Sequence, residues 1–245
     1  MRILNLRSVK SIKTIEPSKH LEWCWEALES HKREPLNGII ASQSVAANFL
    51  NEKIISSIED LSIVGWLKSR SSSVRLSRTM SDYLDNLRLI LSNANSIKFI
   101  DPYLDPTGTN YREFYQFISA IHRTSGAAPR IEVHRKYSGS PSDPLLTKDD
   151  WINRFKKLSA TLTTAKLKIE VFVWDDFHDP YLISNLIGIN LNNGFDISTA
   201  NDITTWNKLS RQVREDINKE FTPDSLSKKS LVGERKLIYR FTIPE

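Results

Sequence analysis

The sequence of 245 residues has one cysteine, Cys24, only eight glycines and no apolar run as long as a membrane-spanning helix. The lone cysteine excludes an internal disulfide and any zinc site that needs several cysteines. His20, His31 and His122 have no partners at the spacing of metal ligands, so we expect neither a metal nor a cofactor. No P-loop, Rossmann or nucleophile-elbow pattern occurs, and a glycine-rich phosphate cradle is not expected.

The amino terminus and the charge balance narrow the class of protein further. Arg2 places charge too early for a secretory signal and stands where myristoylation needs glycine. We therefore expect a soluble, cytoplasmic protein without a transmembrane segment. The net charge of +5 and the pI near 9.2 permit a partner that carries phosphate, but an ordinary solvated surface would give the same values.

Composition divides the chain into two parts. The polar stretch Ser69–Ser73 is typical of a linker or an exposed loop. Residues 1–75 are interpreted as a helical accessory segment, with one helix that ends before Pro35 and a second from about residue 42 to residue 58. Trp23 and Trp25 in the first helix would suit an aromatic anchor for a protein partner. Residues 76–245 form the second predicted domain.

In the second part, helices and strands alternate. The order from residue 80 is α-β-α-β-α-β-β-β-α-β, which predicts an α/β fold with a mixed open sheet and helices on both faces. In such sheets the loops at the carboxyl ends of the strands build the ligand site. Asp101 and Tyr103 follow one predicted strand and residues 175–178 follow another, so two polar clusters are expected at one site. Loop and turn acids are the plainer interpretation of Asp101.

A family resemblance appears in residues 174–196, which read Trp-Asp-Asp-Phe-His-Asp-Pro-Tyr-Leu-Ile-Ser-Asn-Leu-Ile-Gly-Ile-Asn-Leu-Asn-Asn-Gly-Phe-Asp. This segment resembles the phospholipase D superfamily. It is most similar to the sub-branch with a His-Asp-Arg motif, which includes the phospholipase D-like C-terminal domain of MIT-domain proteins. Ile97-Lys-Phe-Ile-Asp-Pro-Tyr-Leu104 resembles an earlier strand of the same domain. The resemblance covers roughly residues 80–210.

The resemblance implies a specific chemistry. In active members a histidine attacks phosphorus, a lysine two residues later neutralises the phosphoryl oxygens, and an acid seven residues after the histidine orients it. A second copy of the motif, in the same chain or in a dimer mate, protonates the leaving group. This chain has one recognisable copy, so a complete site would need a homodimer.

The sequence departs from the motif at decisive positions. His178 matches the histidine, but Pro180 stands where the cation belongs and Asn185 stands where the acid belongs. Proline has neither a charge nor a backbone N–H, and asparagine can form hydrogen bonds but carries no charge. His178 and Asn185 are therefore the catalytic candidates only if activity persists. A structural histidine that bonds a neighbouring loop is the alternative for His178.

A substitute cation is available on another strand. His134 and Lys136 lie two residues apart on a predicted strand, so their side chains share one face, and Lys136 could supply the missing charge if that face points to the site. The favoured alternative is that this face, with Arg130 and Glu132, is the solvated side of an edge strand.

Further basic residues recur along the helix after the motif. Lys208, Arg211 and Arg214 are candidates for binding nucleic acid, although pairing with Glu215 on the helix surface would explain part of their charge.

Three functions remain open. The first is a catalytically degenerate phospholipase D-like protein that binds DNA or RNA backbones through Asp101, Tyr103, His134, Lys136 and the basic helix. For it, the resemblance implies a larger bacterial assembly and a role in phage defence. The second is an active, metal-independent nuclease or phosphodiesterase that uses His178 in a homodimer. The third is a protein-interaction module whose partner binds residues 1–75; a membrane-lipid role is a fourth, weaker interpretation.

Overall fold

The computed structural model describes residues 19–33, 36–68, 71–121, 127–137, 145–198, 202–223, 229–230 and 233–244. The chain divides into two compact units, residues 1–71 and residues 72–245. The amino terminus and part of the Ser69–Ser73 stretch lie outside the described residues. None of the helices within the described ranges is long and apolar enough to cross a membrane.

The first unit combines short helices with a small parallel sheet. Its elements are α1 (His20–Arg33), β1 (Ile39–Ala41), α2 (Gln43–Ala46), β2 (Ile55–Ser57) and α3 (Gly65–Lys68). The predicted first helix is confirmed, since α1 ends at Arg33. The helix predicted from residue 42 to residue 58 is wrong after Phe49, because the chain turns and β2 pairs with β1.

An apolar cluster holds this unit together. Its buried members are Cys24, Leu28, Ile39, Phe49 and Ile55. Trp25 packs edge-on against Phe49 with the ring centroids 5.0 Å apart, yet it remains 54% exposed. A protein partner for this unit stays a prediction.

The second unit is built on one large sheet. Its elements are β3 (Ser73–Ser77), α4 (Met80–Asn93), β4 (Ser96–Ile100), α5 (Tyr115–Ala120), β5 (Arg130–Lys136), α6 (Lys148–Phe155), α7 (Ser159–Ala165), β6 (Ile169–Trp174), β7 (Tyr181–Ser184), β8 (Gly188–Asn190), β9 (Ile203–Lys208), α8 (Arg211–Glu220), β10 (Lys229–Ser230), β11 (Gly233–Glu234) and β12 (Leu237–Ile243). Eight strands form the sheet in the order β12-β6-β5-β4-β7-β8-β9-β3. The predicted boundary at residue 75 falls inside β3, which pairs with β9.

The sheet is mixed, as predicted. Strands β4, β5 and β6 are parallel neighbours, whereas β7 runs antiparallel to β4 and β8 runs antiparallel to β7. The carboxyl ends of β4, β5 and β6 therefore share one edge of the sheet, here called the carboxyl edge. The opposite edge, where these three strands begin, is called the amino edge.

Helices cover both faces, which confirms the predicted architecture. On one face the aromatic rings of Tyr83 in α4 and Phe117 in α5 stack 6.3 Å apart, and Phe117 packs against Phe99 of β4. On the other face Ile217 of α8 and the following Phe221 pack over Phe172 of β6 and its neighbours. Each cluster removes large apolar side chains from water, which is the main source of the fold's stability.

Local signals fix where two of these helices begin. Thr147 and Asp150 form a reciprocal capping box at the start of α6. At the start of α4, the Thr79 side chain accepts a bond from the Asp82 backbone N–H at 3.3 Å.

Candidate nucleic-acid interface at the carboxyl edge

The carboxyl edge brings together residues from three successive loops. Backbone hydrogen bonds continue past the strands: the Asp101 N–H donates to His134 O at 2.9 Å and the Tyr137 N–H donates to Trp174 O at 2.7 Å. The loops after β4, β5 and β6 are thereby held side by side. Asp101 and the 175–178 loop consequently meet at one edge, as the strand pattern predicts, and Lys136 at the end of β5 lies there with them.

Asp101 is the buried centre of this edge. It is 1% exposed, and its carboxylate accepts hydrogen bonds from the Tyr103 N–H at 2.9 Å, the Phe195 N–H at 2.8 Å and the Tyr111 hydroxyl at 3.1 Å. Burial raises the pKa of Asp101 to about 6, although these hydrogen bonds to the charged form act in the opposite direction.

Gly194 makes room for this carboxylate. A Cβ atom at Gly194 would overlap Asp101 Oδ2, so no other residue type fits here without a shift of the chain. The φ angle of +74° at Gly194 also lies in the left-handed region that glycine tolerates. The chain from Gly194 to Phe195 can therefore approach the carboxylate closely enough to donate the bond from Phe195.

A second carboxylate, Asp196, lies beside the first. Its Oδ2 pairs with Arg78 Nη2 at 2.5 Å, and the Tyr83 hydroxyl donates to its backbone carbonyl at 3.0 Å. Its Oδ1 is buried and has no hydrogen-bond partner among the described residues. Burial raises the pKa of Asp196, while the charge of Arg78 opposes that shift.

A cation, an imidazole and an aromatic ring lie together at the same edge. Asp176 pairs through Oδ1 with Lys136 Nζ at 3.4 Å and through Oδ2 with His178 Nε2 at 3.3 Å. Lys136 Nζ also lies 5.4 Å from the centre of the Tyr103 ring. The side chain of Lys136 is 13% exposed, whereas that of His178 is 75% exposed. We call Tyr103, Lys136, Asp176 and His178 the strand-end surface.

A cavity of about 340 Å³ opens next to the strand-end surface. We call it the strand-end cavity. Its lining is mostly polar and includes Pro180, the position where the motif would carry its cation. The lining residues are Asp101, Pro102, Tyr103, Asn110, Tyr111, His178, Pro180, Asn192, Asn193, Gly194 and Asp196.

His134 does not lie on a solvated face, so the edge-strand interpretation is wrong. Strand β5 lies between β4 and β6, and His134 is completely buried. Its Nδ1 accepts a bond from Trp174 Nε1–H at 3.0 Å, which leaves Nε2–H to donate to Glu132 at 3.0 Å. Burial lowers the pKa of His134 to about 4 even though Glu132 favours its charged form. His134 is therefore a neutral core residue, out of reach of a phosphate.

Glu132 links His134 to a buried lysine. Its carboxylate pairs with Lys98 Nζ at 3.1 Å, and Lys98 also donates to the backbone carbonyl of Phe221 at 3.1 Å, just after α8. Burial opposes ionisation of Glu132, but the bond from His134 and the charge of Lys98 lower its pKa to about 2. Nothing in the local sequence pairs Lys98 with Glu132, since the two meet only across neighbouring strands.

Asn185 lies at the opposite edge from His178. It follows β7, whose last residue Ser184 is opposite Ile97 near the start of β4. The Asn185 side chain accepts bonds from the backbone N–H groups of Asn95 at 2.7 Å and Ser96 at 3.2 Å. Asn185 therefore caps the amino edge and is not brought to His178.

The predicted basic helix also lies toward the amino edge. Arg214 donates to the Asn185 carbonyl at 3.2 Å, and Arg211 pairs with Glu215 at 2.8 Å. Lys208 is exposed at the end of β9. A separate cavity of about 180 Å³ is lined by Lys98, Asn185 and Arg214, among others. Lys208, Arg211 and Arg214 do not extend the strand-end surface.

The pKa shifts of Asp101 and His134 predict a specific dependence of stability on pH. Asp101 stabilises the folded state at low pH, and this contribution is lost as pH rises from 3.8 through about 6. Neutral His134 acts oppositely, because its contribution is complete above pH 6.5 and is lost as pH falls through about 4. We expect the free energy of unfolding to change by less than about 1 kcal/mol between pH 4.5 and 7, because the two contributions nearly cancel.

Asp101→Asn separates these two contributions. Without the carboxyl group, the free energy of unfolding should rise by about 2 kcal/mol from pH 4.5 to pH 7, because only the His134 effect remains. Urea unfolding at a series of pH values measures this slope for both proteins. Equal slopes would show that Asp101 does not titrate in this range.

Within the described ranges, no group of three or more His, Cys, Asp or Glu side chains is arranged to hold a metal ion. No protein-family model and no curated protein sequence matches the chain.

Solved structures give low-similarity matches. The archaeal chromatin protein TrmBL2, whose structure shows a novel mode of DNA binding, is 12% identical with a TM-score of 0.33; 84% of this chain and 68% of that chain are covered. Polyphosphate kinase from Porphyromonas gingivalis is 9% identical with a TM-score of 0.41 and coverages of 63% and 26%. Phosphatidylserine synthase from Haemophilus influenzae Rd KW20 is 11% identical with a TM-score of 0.35 and coverages of 68% and 39%. The last two belong to the phospholipase D superfamily.

Proposed function

We propose that this chain is a phospholipase D-like protein that binds the phosphodiester backbone of nucleic acid at its strand-end surface without cleaving it. The observation that carries the proposal is the grouping of Lys136, His178 and the half-exposed ring of Tyr103 at the ends of three neighbouring strands. Proteins that bind single strands combine cations for the phosphates with aromatic rings on which bases stack.

Each member of the surface has a distinct role in this proposal. Lys136 is held by Asp176 at the end of a central strand, so its ammonium group is positioned before a phosphate arrives. His178 presents a mostly exposed imidazole that can donate to a phosphate oxygen. Tyr103 is 52% exposed and offers a ring face for one base. The net charge of +5 supports attraction of a polyanion.

Binding without cleavage is favoured by what surrounds His178. Pro180, at the position of the motif's cation, lines the cavity but can neutralise no charge. Asn185 is bound to Asn95 and Ser96 at the amino edge. His134, the other described histidine of residues 72–245, is buried and neutral. Among the described residues of this unit, no second histidine is placed to protonate a leaving group.

A second candidate is a metal-independent phosphodiesterase, and one observation favours it. Asp176 contacts both His178 Nε2 and Lys136 Nζ, so a nucleophile, an orienting acid and a cation meet through one carboxylate. In this alternative a dimer mate would supply the general acid. The two candidates differ in whether the probe stays intact.

Tyr103→Ala tests whether the surface contacts bases. Loss of one stacked base should weaken binding of a single-stranded 12-mer about tenfold, because base–aromatic stacking contributes roughly 1–3 kcal/mol. Binding of a duplex, whose bases are already stacked, should change less than about twofold. Fluorescence anisotropy with end-labelled probes measures both affinities.

Two variants control for this test. Tyr103→Phe keeps the ring and should bind as the wild type does. Tyr115→Ala removes a comparably exposed tyrosine, 43% against 52%, from α5 on one face of the sheet. If Tyr103→Ala and Tyr115→Ala bind single strands equally well, bases do not contact the strand-end surface.

A further inference from the structure

The strand-end cavity differs in charge from the strand-end surface beside it. Tyr103 and His178 border both, but Lys136 belongs to the surface alone. The described residues that line the cavity include no lysine or arginine and do include Asp101 and Asp196. A phosphate deep in the cavity would meet these two carboxylates and would find no lysine or arginine among the described lining residues, whereas at the mouth it can reach His178 and Lys136. The cavity therefore suits a neutral group of the same ligand.

Hydrogen-bond donors are what the cavity needs. Asp196 Oδ1 is buried and has no hydrogen-bond partner among the described residues. A buried carboxylate oxygen without a donor lowers the stability of the fold, so a ligand that supplies a donor is favoured there. Asn110 and Asn192 belong to the lining, and both residues are exposed. A group with several hydroxyls satisfies carboxylate acceptors and amides at the same time.

From these features we infer that the strand-end cavity binds the ribose of a ribonucleotide, so that the chain prefers RNA to DNA. This inference rests on the proposed binding of nucleic acid. The ribose 2′-hydroxyl is the donor that distinguishes RNA from DNA, and carboxylates are suitable acceptors for ribose hydroxyls. The phosphate then lies against Lys136 and His178, while the base stacks on Tyr103.

The size of the cavity limits the ligand to one nucleoside at a time. A volume of about 340 Å³ lies at the lower end of the range for small-molecule sites. A sugar can enter such a pocket only if its nucleotide is turned out of a helix. The cavity therefore binds single-stranded or terminal nucleotides and excludes continuous duplex RNA.

Three probes of one sequence test the inference: single-stranded 12-mers of RNA, DNA and 2′-O-methyl RNA. The wild type should bind RNA about tenfold more tightly than the other two, because one charge-assisted hydrogen bond is lost with either. The methylated probe keeps the charge and the sugar of RNA but not the donor. Equal affinity for all three probes overturns this inference and leaves the proposed function standing. Failure to bind any probe overturns both.

A cavity variant links the preference to Asp196. Asp196→Asn should reduce the preference for RNA over DNA to less than about twofold, because the charge-assisted bond to the 2′-hydroxyl is lost. Because Asp196 also pairs with Arg78, this variant could unfold. In that case Asn110→Ala, at an exposed residue of the lining, replaces it as the test. This variant should reduce the ratio of RNA affinity to DNA affinity at least threefold, because roughly one hydrogen bond to the ligand is lost. If Asp196→Asn folds and still binds RNA about tenfold more tightly than DNA, the inference is overturned. If Asp196→Asn unfolds, the same tenfold preference in Asn110→Ala overturns it.

Discussion

Replacing Glu132 with glutamine will lower the free energy of unfolding by about 3 kcal/mol. Glu132 is 3% exposed and balances the buried ammonium group of Lys98 at 3.1 Å while accepting the bond from His134. Glutamine preserves the shape but leaves Lys98 with no buried counter-charge, and removing one partner of a buried pair costs far more than the pair itself contributes. Urea unfolding at pH 7 measures the loss.

Glu170→Gln is the matched control for this variant. Glu170 lies opposite Glu132 on the neighbouring strand β6 and pairs with Arg240 at 2.6 Å, but both of its pairing partners are exposed to solvent. We expect a loss below about 1 kcal/mol, as for other exposed ion pairs. Equal losses from the two variants would show that Lys98 and Glu132 are not a buried pair.

Lys136→Ala will weaken binding of single-stranded nucleic acid about tenfold and reduce the steepness of its salt dependence by about one phosphate contact. The reason is twofold. The variant removes the cation nearest Tyr103, and it also leaves the carboxylate of Asp176 unbalanced beside the bound phosphate. Affinities measured at several salt concentrations give both quantities.

Two further substitutions test whether the effect of Lys136→Ala depends on the position of the charge or only on the net charge of the protein. Lys136→Arg retains the charge and should keep most of the affinity. Lys168→Ala removes the same charge from an exposed residue just before β6, at the amino edge. Its affinity should fall less than about twofold. If Lys168→Ala weakens binding as much as Lys136→Ala, the attraction is a general effect of net charge.

Much of the sheet could be predicted because its strands are short apolar runs. Most residues of Ile97–Ile100 and 169–174 are buried, on both faces of the sheet, so their apolar side chains identify the two strands. Strand β9 was missed, since its threonines and Asn207 read as polar and only Thr204 and Trp206 face the core. The helix predicted from residue 42 to residue 58 failed because its apolar spacing also suits a turn followed by a strand that pairs at a distance.

The candidate site was only partly predictable, because some of its residues meet through contacts between elements that are distant in the sequence. Asp101 and His178 were expected at one edge because strand polarity fixes where loops emerge, whereas Lys136 was expected there only if its face of the strand pointed to the site. The burial of His134 and Glu132 could not be foreseen, because it depends on β5 being central in the sheet. The motif spacing suggested that Asn185 would act beside His178. Strand β7 lies between them in the chain and runs from the carboxyl edge to the amino edge, so it carries Asn185 away from His178. The cavity needs Tyr111 and Asp196, which approach Asp101 only in the folded chain.

Binding of a labelled single-stranded 12-mer across a salt series, in EDTA and with the probe checked for integrity, tests the central claim most directly. We expect the logarithm of the affinity to fall linearly with the logarithm of salt concentration, with a slope of about −2 for roughly three phosphate contacts, and the probe to remain intact. Absence of binding at low salt would contradict nucleic-acid recognition by this chain. Cleavage in EDTA that stops in His178→Ala would contradict binding without catalysis and would establish the phosphodiesterase instead.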